Sequence, residues 1–253
     1  MDLEPGQAHV WTLPLDVIEK NTEAPVDDPL FEKLESILSD DEIDRSRLFA
    51  FENNRREYIA AHALCRVMLS RFGPISPKDW QFDTGPHGRP EIAKNDNVGN
   101  LRFNISHTQG LVAVAVTRDD DIGVDVEWIE RNTQFEDVAR AKFAKPEVAL
   151  LDAAAKPETR RTFFSFWTLK ESYIKAIGKG LAEPLDGFAF SLDPLGIDFL
   201  HAQDDPQEWC FQLNKPAPDY LGAVAVRRGT EKEPDFVHRA FDIAELARMG
   251  GVA

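Results

Sequence analysis

A chain of 253 residues can bury a real core as one large domain or two small ones. With 43% hydrophobic and 29% charged residues it has the composition of a soluble globular protein, and no run approaches the ~18 apolar residues of a membrane span. A formal net charge of −15 excludes a nonspecific nucleic-acid binder held by phosphate contacts, so an anionic ligand would have to meet locally concentrated positive charge.

In chain order, the N-terminus carries Asp2 and Glu4, with no basic n-region and no long apolar run, so no secretory signal is expected. Cys65 and Cys210 lie in apolar contexts without metal spacing and read as buried thiols; the expectation is a soluble cytoplasmic protein. A first long helix is predicted over about 46–71, and it coincides with a concentration of Arg45, Arg47, Arg55, Arg56, Arg66 and Arg71. Short strands follow at 80–82 and 101–105, separated by the turn 85–90, which puts His87 and Arg89 on a loop. Alternating Val and Ala over 111–118 reads as a further strand.

Three aspartates at 119–121 break that pattern, and residues 122–127, Ile-Gly-Val-Asp-Val-Glu, follow as a strand. Residues 132–160 read as short helices over the surface, interrupted by Pro146 and Pro157. A second long helix is predicted over about 160–178, stopped by Gly178 and Gly180. Strand candidates at 188–192 and 209–213 lead to 221–228, where six of eight residues repeat those at 111–118. Helix, short strands and Val/Ala strand thus occur twice in the same order. The reading is an α+β fold of two similar halves, 1–119 and 120–253, related by an internal duplication with a ligand cleft between them. A single chain that builds both halves is expected to be a monomer.

The chemistry gathers in two segments. On the 122–127 strand Asp125 and Glu127 share a face, their Cα atoms about 6.6 Å apart. Two carboxylates at that spacing can share a hard cation such as Mg²⁺. On the second helix Trp167, Glu171 and Lys175 recur every fourth residue and lie on one stripe. That adds a third carboxylate and an ammonium, a kit for phosphate or pyrophosphate. Ser106-His107 lies at a strand end, but neighbouring side chains on a strand diverge, so it is no nucleophile–base pair; His107 is better placed to donate to a phosphate. No Gly-x-x-x-x-Gly-Lys-Ser/Thr or Gly-x-Gly-x-x-Gly loop is present.

Four ordered motifs now stand together: Gly88-Arg-Pro90, Phe103-Asn-Ile-Ser-His107, the 122–127 strand, and residues 166–175 followed by Gly178-Lys-Gly-Leu181. In these the chain resembles the 4′-phosphopantetheinyl transferases of the larger, pseudo-dimeric Sfp-like type. The resemblance implies a pseudo-twofold fold and transfer of the phosphopantetheine arm of coenzyme A to a serine hydroxyl of an apo acyl or peptidyl carrier protein. It implies that Asp125, Glu127 and Glu171 hold Mg²⁺, with Mn²⁺ as an open alternative, and that Glu171 takes the serine proton. Lys175 and Lys170 would face the phosphates, while Ser106, His107, Arg89 and Pro90 would bind the nucleotide end. Arg45 and Arg56 are the matches for basic residues of the first helical region, and 128–143 is the expected carrier face. Two other readings stay open: a Mg²⁺-dependent nucleotide pyrophosphate hydrolase, and a catalytically silent carrier-binding module.

Overall fold

The computed structural model describes residues 3–16, 28–85, 87–96, 99–201, 204–228 and 233–251; Asp2 and the side chain of Leu181 lie outside the described part. The first half runs β1 (Gln7–Pro14), α1 (Pro29–Glu35), α2 (Asp40–Ser46), α3 (Glu52–Phe72), β2 (Phe82–Thr84), β3 (Pro90–Ile92), β4 (Leu101–Thr108) and β5 (Leu111–Arg118). The second runs β6 (Ile122–Trp128), α4 (Phe135–Lys142), α5 (Lys145–Ala153), α6 (Lys156–Ala176), β7 (Phe188–Leu192), β8 (Leu195–Phe199), β9 (Trp209–Asn214) and β10 (Tyr220–Arg227). The chain closes with β11 (Asp235–Ala240) and α7 (Ile243–Gly250).

The duplication is visible in sheet order. One sheet contains β1-β5-β4 and the other β6-β10-β9, each with its Val/Ala strand in the middle. A small hairpin accompanies each, β2-β3 and β7-β8, and one long helix covers each sheet. The first sheet has one strand more: β11 returns from the chain end to lie parallel to β1. Among the described residues no helix is long and apolar enough to cross a membrane.

The helix bounds depart from expectation for local reasons. Ser39 caps α2 with a reciprocal Glu42 capping box, and extended backbone at Phe51 separates α2 from α3, so 46–71 is not one helix. Pro157 does not interrupt α6; it sits in the first turn, where a missing N–H removes no helical bond.

Face by face, the repeated strands are not equivalent as their identities suggest. On β5, Val112, Val114 and Val116 pack against α3, while Ala113 and Ala115 face the other sheet. On β10 the facing is reversed: Ala223 and Ala225 pack under α6, and Val224 and Val226 meet the first sheet. A period of two means that a one-residue slip exchanges the faces, so the matched Ala and Val positions point opposite ways.

At the seam β4 and β6 are both sheet edges, yet β6 does not leave its outer N–H groups unpaired. Asn104 Oδ1, Ser106 Oγ and Thr108 Oγ1, alternate residues of β4, accept the N–H groups of Val124, Val126 and Trp128 at 3.0, 3.2 and 3.3 Å. A ladder of side chains thus joins the halves where backbone pairing would be expected. Gly123 is required on the other face of β6: a Cβ there would overlap the Ser172 carbonyl oxygen and the Ala176 nitrogen of α6.

Candidate active site

Between Phe163 and Ala176 helix α6 is buried all round except at Trp167, Glu171 and Lys175. Gly123 lets this helix lie directly on β6, whose Asp125 and Glu127 point towards it. The stripe and the carboxylate strand therefore meet. Lys175 Nζ donates to Asp125 Oδ1 at 2.7 Å, to Ser106 Oγ at 2.9 Å and to the Val124 carbonyl at 3.2 Å. Ser106 donates its own proton to Asp125 Oδ1 at 3.0 Å, so its hydroxyl is fully engaged inside the protein. Glu127 pairs with Arg131 at 3.0 Å and stands 3.5 Å from Thr108 Oγ1.

The carboxyls are electrostatically stressed. Burial, and then the charge of Asp125, pushes Glu171 up to about 7. Burial and Asp125 likewise push Glu127 up to about 7, against Arg131 and Lys175. Asp125 is itself buried, and among the described residues its Oδ2 has no hydrogen-bond partner. Among the described residues no group of three or more His, Cys, Asp or Glu side chains stands ready-made around a metal position. The donor chemistry nevertheless fits a hard divalent cation: an orphaned carboxylate oxygen with two further carboxyls near it whose charged forms burial disfavours.

Several expected ligand contacts lie elsewhere. Lys170 does not face the site. It is fully buried, bonded to Glu147 Oε2 at 2.8 Å and to the carbonyls of Leu185 and Phe188 at 2.6 and 2.7 Å, so its ammonium is saturated. Arg89 is turned inward: its guanidinium donates to the Lys175 and Ala176 carbonyls at the end of α6, and to those of Phe103 and Ile122. A cation suits that helix C-terminus, and here it ties α6 to both seam strands. Arg56 pairs with Asp28 and stacks on Phe31. Ser106, as above, serves the carboxylate strand.

Arg45 and Pro90 instead line an open cleft of about 480 Å³ on the α3 face of β4. Tyr58, Phe82 and Phe103 supply its aromatic wall, and His62, held by Glu42 at 2.9 Å, lines it with its ring tilted against Tyr58. His107 lies on that same face of β4 and is half-exposed, 3.5 Å from the buried carboxylate Glu57. Sequence reasoning passes over Thr108, Arg131 and Glu57. The first had a legible signal, since Asn104, Ser106 and Thr108 alternate on one strand.

Duplicated halves that meet at a seam of carboxylates and an ammonium define a protein equipped for phosphate chemistry. Comparison with known proteins supplies the family. Residues 121–225 match the 4′-phosphopantetheinyl transferase superfamily model, and residues 24–119 match the 4′-phosphopantetheinyl transferase N-terminal model. The chain is 30% identical over 232 residues to the 4′-phosphopantetheinyl transferase HetI of Nostoc sp., covering 92% of each. It is 28% identical to the 4′-phosphopantetheinyl transferase Sfp of Bacillus subtilis, covering 81% of this chain and 87% of that one. To the human L-aminoadipate-semialdehyde dehydrogenase-phosphopantetheinyl transferase it is 26% identical, over 76% of this chain and 67% of the other. The chain belongs to the 4′-phosphopantetheinyl transferase superfamily and is a transferase.

Proposed function

We propose that this enzyme transfers the 4′-phosphopantetheine arm of coenzyme A to a serine hydroxyl of an apo acyl or peptidyl carrier protein. The observation that carries the reading is the meeting of the α6 stripe with β6, which sets Glu171 and Lys175 beside Asp125. In the reaction the serine oxygen bonds to the phosphorus that bears the pantetheine arm. The bond from that phosphorus to the bridging pyrophosphate oxygen breaks, and adenosine 3′,5′-bisphosphate leaves.

Glu171 is the base. A hydroxyl is a poor nucleophile until deprotonated, and burial and Asp125 raise the proton affinity of Glu171 before any cation binds. Lys175 meets the pyrophosphate oxygens, its ammonium opposing charge that builds on the leaving group. Asp125, Glu127 and Glu171 would hold Mg²⁺, or Mn²⁺ in its place, which supplies further neutralisation of the pyrophosphate when bound. The nucleotide end lies in the Arg45- and Pro90-lined cleft, whose volume falls within the roughly 300–1,000 Å³ of small-molecule sites. His107 flanks it. Arg89 acts at one remove, fixing the end of the helix that carries Lys175. The carrier docks along 128–143, and one chain suffices for both halves of the site.

Intact-mass analysis of an apo carrier protein incubated with the enzyme, coenzyme A and Mg²⁺ tests this. Transfer adds the arm to the carrier. Consumption of coenzyme A with an unmodified carrier would make the protein a pyrophosphate hydrolase, and no change in either would leave a binding module.

A further inference from the structure

Lys175 is a quarter exposed, yet its ammonium is fully engaged. Its three N–H groups reach three acceptors, of which only Asp125 is charged; the Val124 carbonyl and the Ser106 hydroxyl are neutral. The hydroxyl is locked in turn, donating to Asp125 Oδ1 and accepting the Val126 N–H. All the bonding thus falls on one oxygen of Asp125. The other, on a side chain that is only 7% exposed, has no partner among the described residues. The remaining charges around it are Glu171 on the helix, Glu127 on the same strand, and Arg131, which is already committed to Glu127.

A carboxylate in this position needs a cation, and the one bonded to it is Lys175. A divalent ion arriving alone would have to share Asp125 with an ammonium that has no other anion among its partners. Two cations on one buried carboxylate repel. An ion arriving with a pyrophosphate brings anionic oxygens to which the ammonium can transfer. Resting on the function proposed above, we infer that Lys175 is the resident counter-ion of the carboxylate strand. It blocks uptake of the metal alone and releases Asp125 when metal and pyrophosphate arrive together. Order of loading is thereby built into one side chain, and the coupling between the two ligands is reciprocal.

The test is Mn²⁺ binding, followed by electron paramagnetic resonance, to the wild type and to Lys175→Met, each with and without inorganic pyrophosphate. The variant keeps the length of the side chain and removes its charge. Without pyrophosphate, Lys175→Met should bind Mn²⁺ about tenfold more tightly than the wild type, within the usual range of coupling between sites. Pyrophosphate should tighten Mn²⁺ binding by the wild type about tenfold and by the variant much less. Equal or weaker Mn²⁺ binding by the variant alone overturns the inference, as does a wild type indifferent to pyrophosphate, a result that needs no variant to fold. Melting in a chelator is the second readout. The variant should melt below the wild type and be raised by Mg²⁺, while Mg²⁺ alone barely moves the wild type; a variant that Mg²⁺ does not rescue counts against the idea. None of these measurements requires turnover. A protein that fails to modify a carrier yet shows the Mn²⁺ pattern would refute the proposed transfer and keep the counter-ion. Normal transfer with no Mn²⁺ difference would do the reverse.

Discussion

Helices α3 and α6 occupy equivalent places in the two halves, and each buries one cation at its fifteenth residue. In α3 this is Arg66, bonded to Glu42 at 2.8 Å and to the carbonyls of Pro77, Lys78 and Trp80. In α6 it is Lys170, bonded to Glu147 and to the carbonyls of Leu185 and Phe188. Both acids sit three residues into a short preceding helix and also accept the N–H that starts it, Ser39 for Glu42 and Ala144 for Glu147. The device is the same: a capping acid, a buried cation, and the carbonyls of the segment that leads into the small hairpin. The two helices differ on the neighbouring stripe. Where α6 presents Trp167 and Glu171, α3 has Ala63 and Val67, both buried in apolar core with Gly250 of α7 beside Val67. The two halves share the pin and differ on the stripe, where buried Val67 of α3 stands in the place of Glu171 of α6.

The sharpest way to break this comparison is at the stripe. Glu171→Gln is nearly isosteric and should lower the rate of carrier modification by about 10²–10⁴-fold, the usual worth of a positioned base, with the melting temperature little changed. Val67→Ala, at the matching place in α3, should do the opposite. It should cost stability, up to about the 1.5–3 kcal/mol of a buried valine, and spare the rate per folded molecule. Wild-type turnover by Glu171→Gln would remove it from the role of base.

The pins come next. Lys170→Met and Arg66→Met each strand a buried carboxylate, and each should cost about 3–5 kcal/mol in denaturant unfolding. If Lys170→Met instead unfolds like the wild type but loses coenzyme A, the pairing of the two pins is false and Lys170 belongs to the site.

Lys170 also marks the limit of what sequence can say. It stands beside Glu171 in the same motif, and a lysine next to a proposed base reads as a ligand. Only the packing of α5 and of 185–188 around that face of the helix turns it into core. Arg89 misleads in the same way, since its loop position suggests solvent while four carbonyls claim its guanidinium. By contrast the stripe, the carboxylate strand and the two-half order were legible, because periods of four and two need no knowledge of neighbours. The strands β1 and β11 escape such reasoning. Their parallel pairing joins the two ends of the chain, and β11 is largely exposed, so its side chains carry little of the apolar alternation that announces a strand.

A smaller effect sharpens the seam, where the two halves touch through side chains. Asn104→Ala would leave the Val124 N–H without its acceptor and should cost about 1–3 kcal/mol, the price of an unsatisfied buried group. Hydrogen exchange should show it locally, at the Val124 amide. Unchanged protection there would mean that the ladder contributes nothing to holding β6.

The finest test is the pH dependence of stability without metal, because the two halves bend it in opposite directions. In the first half burial raises Glu42, but its bonds and charge attraction to His62 and Arg66 outweigh that and bring it to about 2, below the ordinary 4.5. Its contribution is therefore present above 4.5 and is lost as pH falls towards 2. In the second half Glu127 and Glu171 are raised from 4.5 to about 7. The folded protein holds those protons more tightly than the unfolded chain, so stability should fall as pH rises from 4.5 to 7 and level off beyond. Melting temperatures in a chelator should accordingly decline across pH 5–7. The double change Glu127→Gln with Glu171→Gln should flatten that decline while leaving the acid limb set by Glu42 in place. Mg²⁺ added together with pyrophosphate should flatten it in the wild type as well, since a cation on these oxygens stabilises the charged forms that burial disfavours. A decline that survives the double change would move its origin away from the site, and with it the claim that the polar stripe of α6 is where the second half departs from the first.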